Sequence, residues 1–194
     1  MIGRAIEELA VGDAATLTRA VTAEGIREFV EATGDANPLH SDQTFAATTR
    51  FGEVIAPGML TGGLLSAVIG TRLPGPGTVY LSQSFRFLRP VYVGETITAR
   101  VEVAEVVRER NRVALRTVCL NQDDEPVLEG EAWVMPPRAH VEYVEPLPAR
   151  STLGGLSWAP ATCAVQLMSF WLASSLTLAA HAFTLYRPSG FRVP

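Results

Sequence analysis

The sequence predicts an α+β fold in which a curved antiparallel sheet wraps around one long buried helix. Three observations carry this expectation. The stretch "PGMLTGGLLSAVIGTRL" (57–73) is almost wholly apolar and small, and a helix that is apolar on nearly all sides is a buried one. Four later segments switch to a period of two, as half-buried strands do. The order is strand, helices, buried helix, strands, which suits one α+β layer pair.

The elements follow in order. "ATLTRAV" (15–21) reads as a strand. Thr22 caps a helix over "AEGIREFVEATG", with Ile26, Phe29 and Val30 on one face and Gly34 as its stop. Asn37-Pro38 marks a loop, because the residue before proline is pushed out of the α region. Ser41 is the expected cap of a short helix through "DQTFAATTRF". Gly62 and Gly63 weaken the apolar helix by about 1 kcal/mol each against Ala, which is tolerable if they let a backbone or a ligand approach. "PGPG" (74–77) ends it. In the period-two segments, Val79, Leu81, Phe85 and Phe87 come first, then Ile97, Ala99, Val101 and Val103. Val113, Leu115 and Cys119, then Leu128, Ala132 and Val134, complete the set, with "RERN" and "QDDE" as turns. Four successive strands on short links predict an antiparallel meander. A helix rolled inside such a sheet is the hot-dog arrangement.

Composition narrows the function. The chain has 194 residues, enough for one domain with an extension. Net charge is −4 without a basic block, which argues against nucleic acid as partner. All 16 basic residues are Arg, as GC-rich coding would give. Cys119 and Cys163 have no metal-type spacing and read as free thiols. "MIGRAIEELAVGD" has no apolar core, so no signal peptide is expected and a reducing cytoplasm is the simplest setting.

The chemistry concentrates in "GDANPLH" (34–40), where Asp35 and His40 flank Asn37-Pro38. On a helix their spacing would point them apart; on a proline loop both can enter one cavity. A carboxylate and an imidazole one water apart can hold and deprotonate that water. The alternative is an Asx-type turn at Asp35 with His40 on the surface. "IAPGM" (55–59) adds a second feature: Gly58 at the start of the apolar helix, where amides are unpaired and the dipole is positive. Such an amide makes an oxyanion hole; Pro and Gly at a helix start are also ordinary helix grammar.

"GDANPLHSD", "IAPGMLTGGLLS" and "FRFLRPVYVGETIT" together resemble the MaoC-like, (R)-specific enoyl-CoA hydratases, over roughly residues 5–145. "IGTRLPGPGTVYLSQSFRFLRPV" and "NQDDEPVLEGEAWV" are similar to the hydratase module that some bacteria fuse to a phosphate acetyltransferase. The resemblance implies a hot-dog domain over 1–145 that hydrates trans-2-enoyl-CoA to (R)-3-hydroxyacyl-CoA. It implies that Asp35 and His40 activate water, that the Gly58 amide polarises the thioester carbonyl and that Asn37 holds the loop. It also implies an acyl-CoA or acyl-carrier-protein thioester as substrate, a homodimer, and no metal or other cofactor. Pro57 departs from the pattern, since many members carry His there. Arg86 and Arg89 are candidates to meet CoA phosphates, with solvated strand arginines as the alternative. Phe51, Met59 and Leu60 are candidates for an acyl tunnel, with core packing as the alternative. His140 and His181 are read as structural or incidental. Two rival functions stand beside hydration: a hot-dog thioesterase, and a non-catalytic module that binds acyl chains or only dimerises. The intact acid–base pair favours hydration.

Residues 146–194 form an apolar extension; from 151 onward there is no Asp, Glu or Lys. "CAVQLMSFWLASSLTLAAHAFTLY" (163–186) is long enough to span about 30 Å, yet its Gln166, hydroxyls and His181 make a poor membrane span. A membrane anchor, a helix packed on the dimer and a truncated or frame-shifted end are the three readings, the last being preferred.

Overall fold

A computed structural model of the chain describes residues 1–144; Cys163, His181 and the 146–194 extension, with its three readings, lie outside the described residues. The elements are β1 (Ile2–Gly3), β2 (Ala14–Ala20), α1 (Ala23–Thr33), α2 (Gln43–Ala47), α3 (Gly58–Thr71), β3 (Val79–Phe87), β4 (Thr96–Val107), β5 (Arg112–Leu120), β6 (Pro126–Met135) and β7 (Val141–Glu142). Five strands form one antiparallel sheet in the order β2-β4-β5-β6-β3, and β1 pairs with β7 apart from it. Helix α3 packs across β2, β4 and β5, which is the expected hot-dog layout.

Alternation built the core as the sequence indicates. Ile97, Ala99, Val101 and Val103 on β4, Val113, Leu115 and Cys119 on β5, and Leu128, Ala132 and Val134 on β6 are all fully buried. They meet Leu65, Val68 and Ile69 of α3 in one cluster. Asn111 and Asp124 take left-handed backbone (φ 49° and 60°) in the two hairpin turns, which suits their short polar side chains.

The predicted four-strand meander is corrected at its first link. Only β4, β5 and β6 are consecutive neighbours; β3 lies beyond β6, on the opposite edge from β2. The link from β3 to β4, residues 88–95, is longer than a hairpin turn and crosses the sheet. At this edge Val79, Leu81 and Phe87 are exposed by 49, 43 and 52% rather than buried. The ladder also slips between Tyr80 and Ser82, so alternation there does not mark one buried face. Phe85 alone of the four packs against the core cluster.

Two further expectations change. Helix α3 is buried on one side only: Thr61, Gly62, Leu65, Val68 and Ile69 face the sheet, while Met59, Gly63, Ser66 and Gly70 lie along an exposed stripe. The group that approaches Gly62 is the Phe85 ring, 3.0 Å from where a Cβ would stand, and Gly63 meets nothing. Asp42, not Ser41, caps α2, accepting from the Thr44 and Phe45 amides at 2.8 and 3.0 Å; a carboxylate also suits the positive helix end. Thr22 and Gly34 cap α1 as expected. His140 finds an acid far away in sequence, with Nδ1 2.9 Å from Glu8 Oε1, and this bond is the first cause that holds the Glu8 carboxyl below its usual range.

Candidate active site

The acid–base loop is shaped by its own backbone needs. Gly34 sits at φ 73° and donates to the Val30 carbonyl at 2.8 Å, closing α1. Glycine takes this left-handed turn without a Cβ clash. Asn37 Oδ1 then accepts from the Leu39 amide at 3.2 Å and caps a single turn, Pro38–His40. Pro38 has no amide to leave unpaired at that start. The loop is stitched to the rest of the site through Ile55, whose amide donates to Leu39 O at 3.2 Å. Ile55 also bridges to Tyr92, and Ala56 donates to Val91 O at 2.8 Å.

These bonds fix His40. Its Nδ1 lies 2.8 Å from the Ile55 carbonyl oxygen. A carbonyl only accepts, so Nδ1 carries the hydrogen, and in the neutral ring Nε2 keeps its lone pair. Nε2 is 3.8 Å from Asp35 Oδ2, beyond a direct hydrogen bond and suited to holding one water oxygen jointly. The His40 side chain is only 10% exposed while that of Asp35 is 43% exposed. Asp35 Oδ1 also accepts from the Asn37 amide at 3.4 Å. The Asx turn and the acid–base pair therefore coexist, and His40 is not a surface residue.

Gly58 opens α3 directly after Pro57, so its amide has no carbonyl one turn earlier to bond. A Cβ here would stand 2.8 Å from Phe87 Cε1, so the ring and the helix start meet only because residue 58 is glycine. A cavity of about 270 Å³ brings His40 and Gly58 together with Phe51 and Thr61. Its floor is buried, with Thr61 3% and Leu128 0% exposed. Arg50, Phe87 and Arg89 also line it.

Five sequence candidates are not in this cavity's wall: Asp35 and Asn37 stand on the loop beside His40, and Met59, Leu60 and Arg86 lie farther off. Met59 is 55% exposed on the outer stripe of α3, and Leu60 packs on the core; neither is in the cavity wall. Arg86 is ion-paired with Glu129 and lines a separate hollow of about 610 Å³ over β3, β5 and β6. It alternates with Phe85 and Phe87, so it leaves the sheet on the opposite face. Arg50, Thr61 and Phe87 are wall residues that sequence reasoning missed. Thr61 was detectable, because it lies three residues after Gly58 on the same helical face.

Comparison with known proteins agrees with this geometry. Residues 10–122 match the MaoC like domain. The chain belongs to the MaoC-like family. It is 46% identical over 149 residues to a 3-hydroxybutyryl-CoA dehydratase of Methylorubrum extorquens, covering 77% of this chain and 92% of that protein. It is 44% identical to an (R)-specific enoyl-CoA hydratase of Rhodospirillum rubrum, covering 68% of this chain and 90% of the relative. Among solved structures, the unliganded R-hydratase of Pseudomonas aeruginosa superposes with a TM-score of 0.69 at 43% identity, covering 76% and 96% of the two chains. The (R)-hydratase of Aeromonas caviae gives 0.66 at 40%, covering 68% and 99%. Among the described residues no helix is long and apolar enough to cross a membrane.

Proposed function

We propose that this MaoC-like chain is a hydro-lyase that reversibly adds water to a trans-2-enoyl-CoA, giving the (R)-3-hydroxyacyl-CoA. The observation that carries the reading is His40 Nε2, left as a base by the Nδ1–Ile55 bond and 3.8 Å from Asp35 Oδ2, where one water can bond both. The similarity to hydratases and dehydratases at 44–46% identity supports the same reaction class.

In this reading Asp35 accepts one hydrogen of the water and orients it. His40 Nε2 takes the other hydrogen as the oxygen bonds to C3. Electrons of the C2–C3 double bond move toward the thioester oxygen, which becomes an enolate. The Gly58 amide donates to that oxygen; losing such a donor typically costs about 3 kcal/mol. The proton on His40 then passes to C2 on the same face, the enolate collapses, and one water has been added syn. Asn37 acts on the loop, Thr61 and Leu128 of the buried floor surround the acyl end, and Phe51 stands with Arg50 nearer the mouth.

Pairing of two copies is part of the proposal. β3 is a sheet edge with exposed Val79, Leu81 and Phe87, and an exposed apolar edge strand is a pairing surface. A reducing cytoplasmic setting is likewise proposed, supported by the buried free thiol of Cys119.

The test follows loss of enoyl absorbance from crotonyl-CoA with the full chain near neutral pH, beside D35N and H40A. Loss that both variants abolish supports the reading. Full activity in both variants defeats it, and release of free thiol without hydration points to a thioesterase.

A further inference from the structure

Arg50 is an exposed arginine on the wall of the catalytic cavity, with its guanidinium carbon 4.8 Å from the centre of the Phe51 ring. Among the described residues it makes no ion pair, in contrast to the other candidate arginines: Arg86 pairs with Glu129 and Arg89 with Glu125. Arg89 also donates to the Pro126 carbonyl at 2.8 Å. The cavity wall holds two arginines, of which Arg89 is paired with Glu125, so that Arg50 is the wall cation without a carboxylate partner among the described residues. An unpaired cation beside apolar walls attracts a ligand of the opposite sign. Since the floor is buried and Arg50 is exposed, Arg50 marks the mouth. The part of a thioester that stays at the mouth is its carrier arm, and that arm ends in phosphate.

We propose that Arg50, pre-positioned on the Phe51 ring, is the anchor for the phosphate of the pantetheine arm; this rests on the acyl-thioester reading above. The cation–π contact holds the guanidinium over the ring, and its N–H donors can grip two phosphate oxygens. Phosphopantetheine is common to CoA and to a carrier protein, so the anchor by itself serves either.

The experiment measures kcat and KM of the full chain, R50Q, R50K and R86Q on three substrates: crotonyl-CoA, crotonyl-phosphopantetheine and crotonyl-pantetheine. Expected is a rise in KM of about tenfold for R50Q on crotonyl-CoA, or ~1.4 kcal/mol, with partial rescue in R50K. The rise falls below twofold on crotonyl-pantetheine, which has no phosphate, and R86Q stays near the parent on all three. A rise on both phosphorylated substrates assigns Arg50 to the phosphate shared by CoA and carrier protein. A rise on crotonyl-CoA alone would put the contact on the nucleotide phosphates and overturn the proposal. An R50Q effect equal on all three substrates, or none on any, overturns the proposal. A parent chain that hydrates none of them instead defeats the hydratase reading on which it rests.

Discussion

The β4–β5–β6 meander and the loop from Gly34 to Gly58 solve opposite problems. The meander stacks fully buried side chains such as Val101, Leu115 and Val134, with the Thr117 hydroxyl among them bonded to Gln83. The loop carries a half-exposed carboxylate and a nearly buried imidazole, held by single hydrogen bonds to local backbone. Stability is therefore concentrated in one region and chemistry in the other. Substitutions in each should move one property and spare the other.

The largest expected effect lies in the loop. H40A lowers kcat by roughly 10²–10⁴, the usual contribution of a positioned acid–base group, with the melting temperature nearly unchanged. L115A does the reverse: it removes about 3 kcal/mol of stability by leaving a core cavity, while kcat per folded molecule stays near the parent. Turnover and thermal melts of both variants check the separation. An H40A chain that melts as early as L115A would show that the loop is part of the structural core.

Two glycines on α3 sharpen the contrast. At Gly62 an added methyl meets the Phe85 ring at 3.0 Å, and that ring is packed on the core. G62A is expected to lose about 1–3 kcal/mol from overpacking, partly offset by about 1 kcal/mol of better helix propensity. At Gly58 the methyl meets Phe87, whose ring is exposed and can swing away. G58A is expected to keep its stability and lose about tenfold in kcat/KM, because methyl and displaced ring both crowd the amide that faces the cavity. Denaturant titration and steady-state kinetics on the pair distinguish them.

Cys119 gives the meander a pH signature of its own. Burial pushes its thiol up to about 12 from 9.0. The unfolded chain therefore releases this proton from about pH 9 while the folded chain retains it, and stability falls as pH rises from about 9 to about 12. In a C163S background, native alkylation of the remaining thiol should be slow at pH 8 and fast only after denaturation. Rapid native alkylation would mean that the core opens far more easily than its packing indicates.

What the sequence revealed follows the same division. Caps act within a few residues, so Thr22 and Gly34 were readable, and alternation on β4, β5 and β6 was readable because each strand is central and buried on one face. The place of β3 was not, since pairing depends on where the link through residues 88–95 lands. Asp35, His40 and Gly58 were found as types at suggestive positions, but the Nδ1–Ile55 bond that sets the histidine tautomer joins segments 15 residues apart. Arg86 fails as a candidate for the cavity for one reason that alternation alone supplies: a strand residue between Phe85 and Phe87 points away from whatever they face.

The smallest effect tests how far that local bond network controls the chemistry. Asn37 is outside the cavity wall and reaches His40 only through the turn it caps, where Oδ1 accepts from Leu39 at 3.2 Å. N37A removes this acceptor and should destabilise the chain by about 1 kcal/mol, as lost caps do. If the turn positions His40, kcat also falls, by about threefold to tenfold, with KM little changed. N37S restores a side-chain acceptor at a cap position and should recover most of kcat. Loss of stability without loss of kcat would confine Asn37 to folding. Loss of kcat that serine does not rescue would mean that the amide group itself touches the substrate, which its place outside the cavity wall argues against.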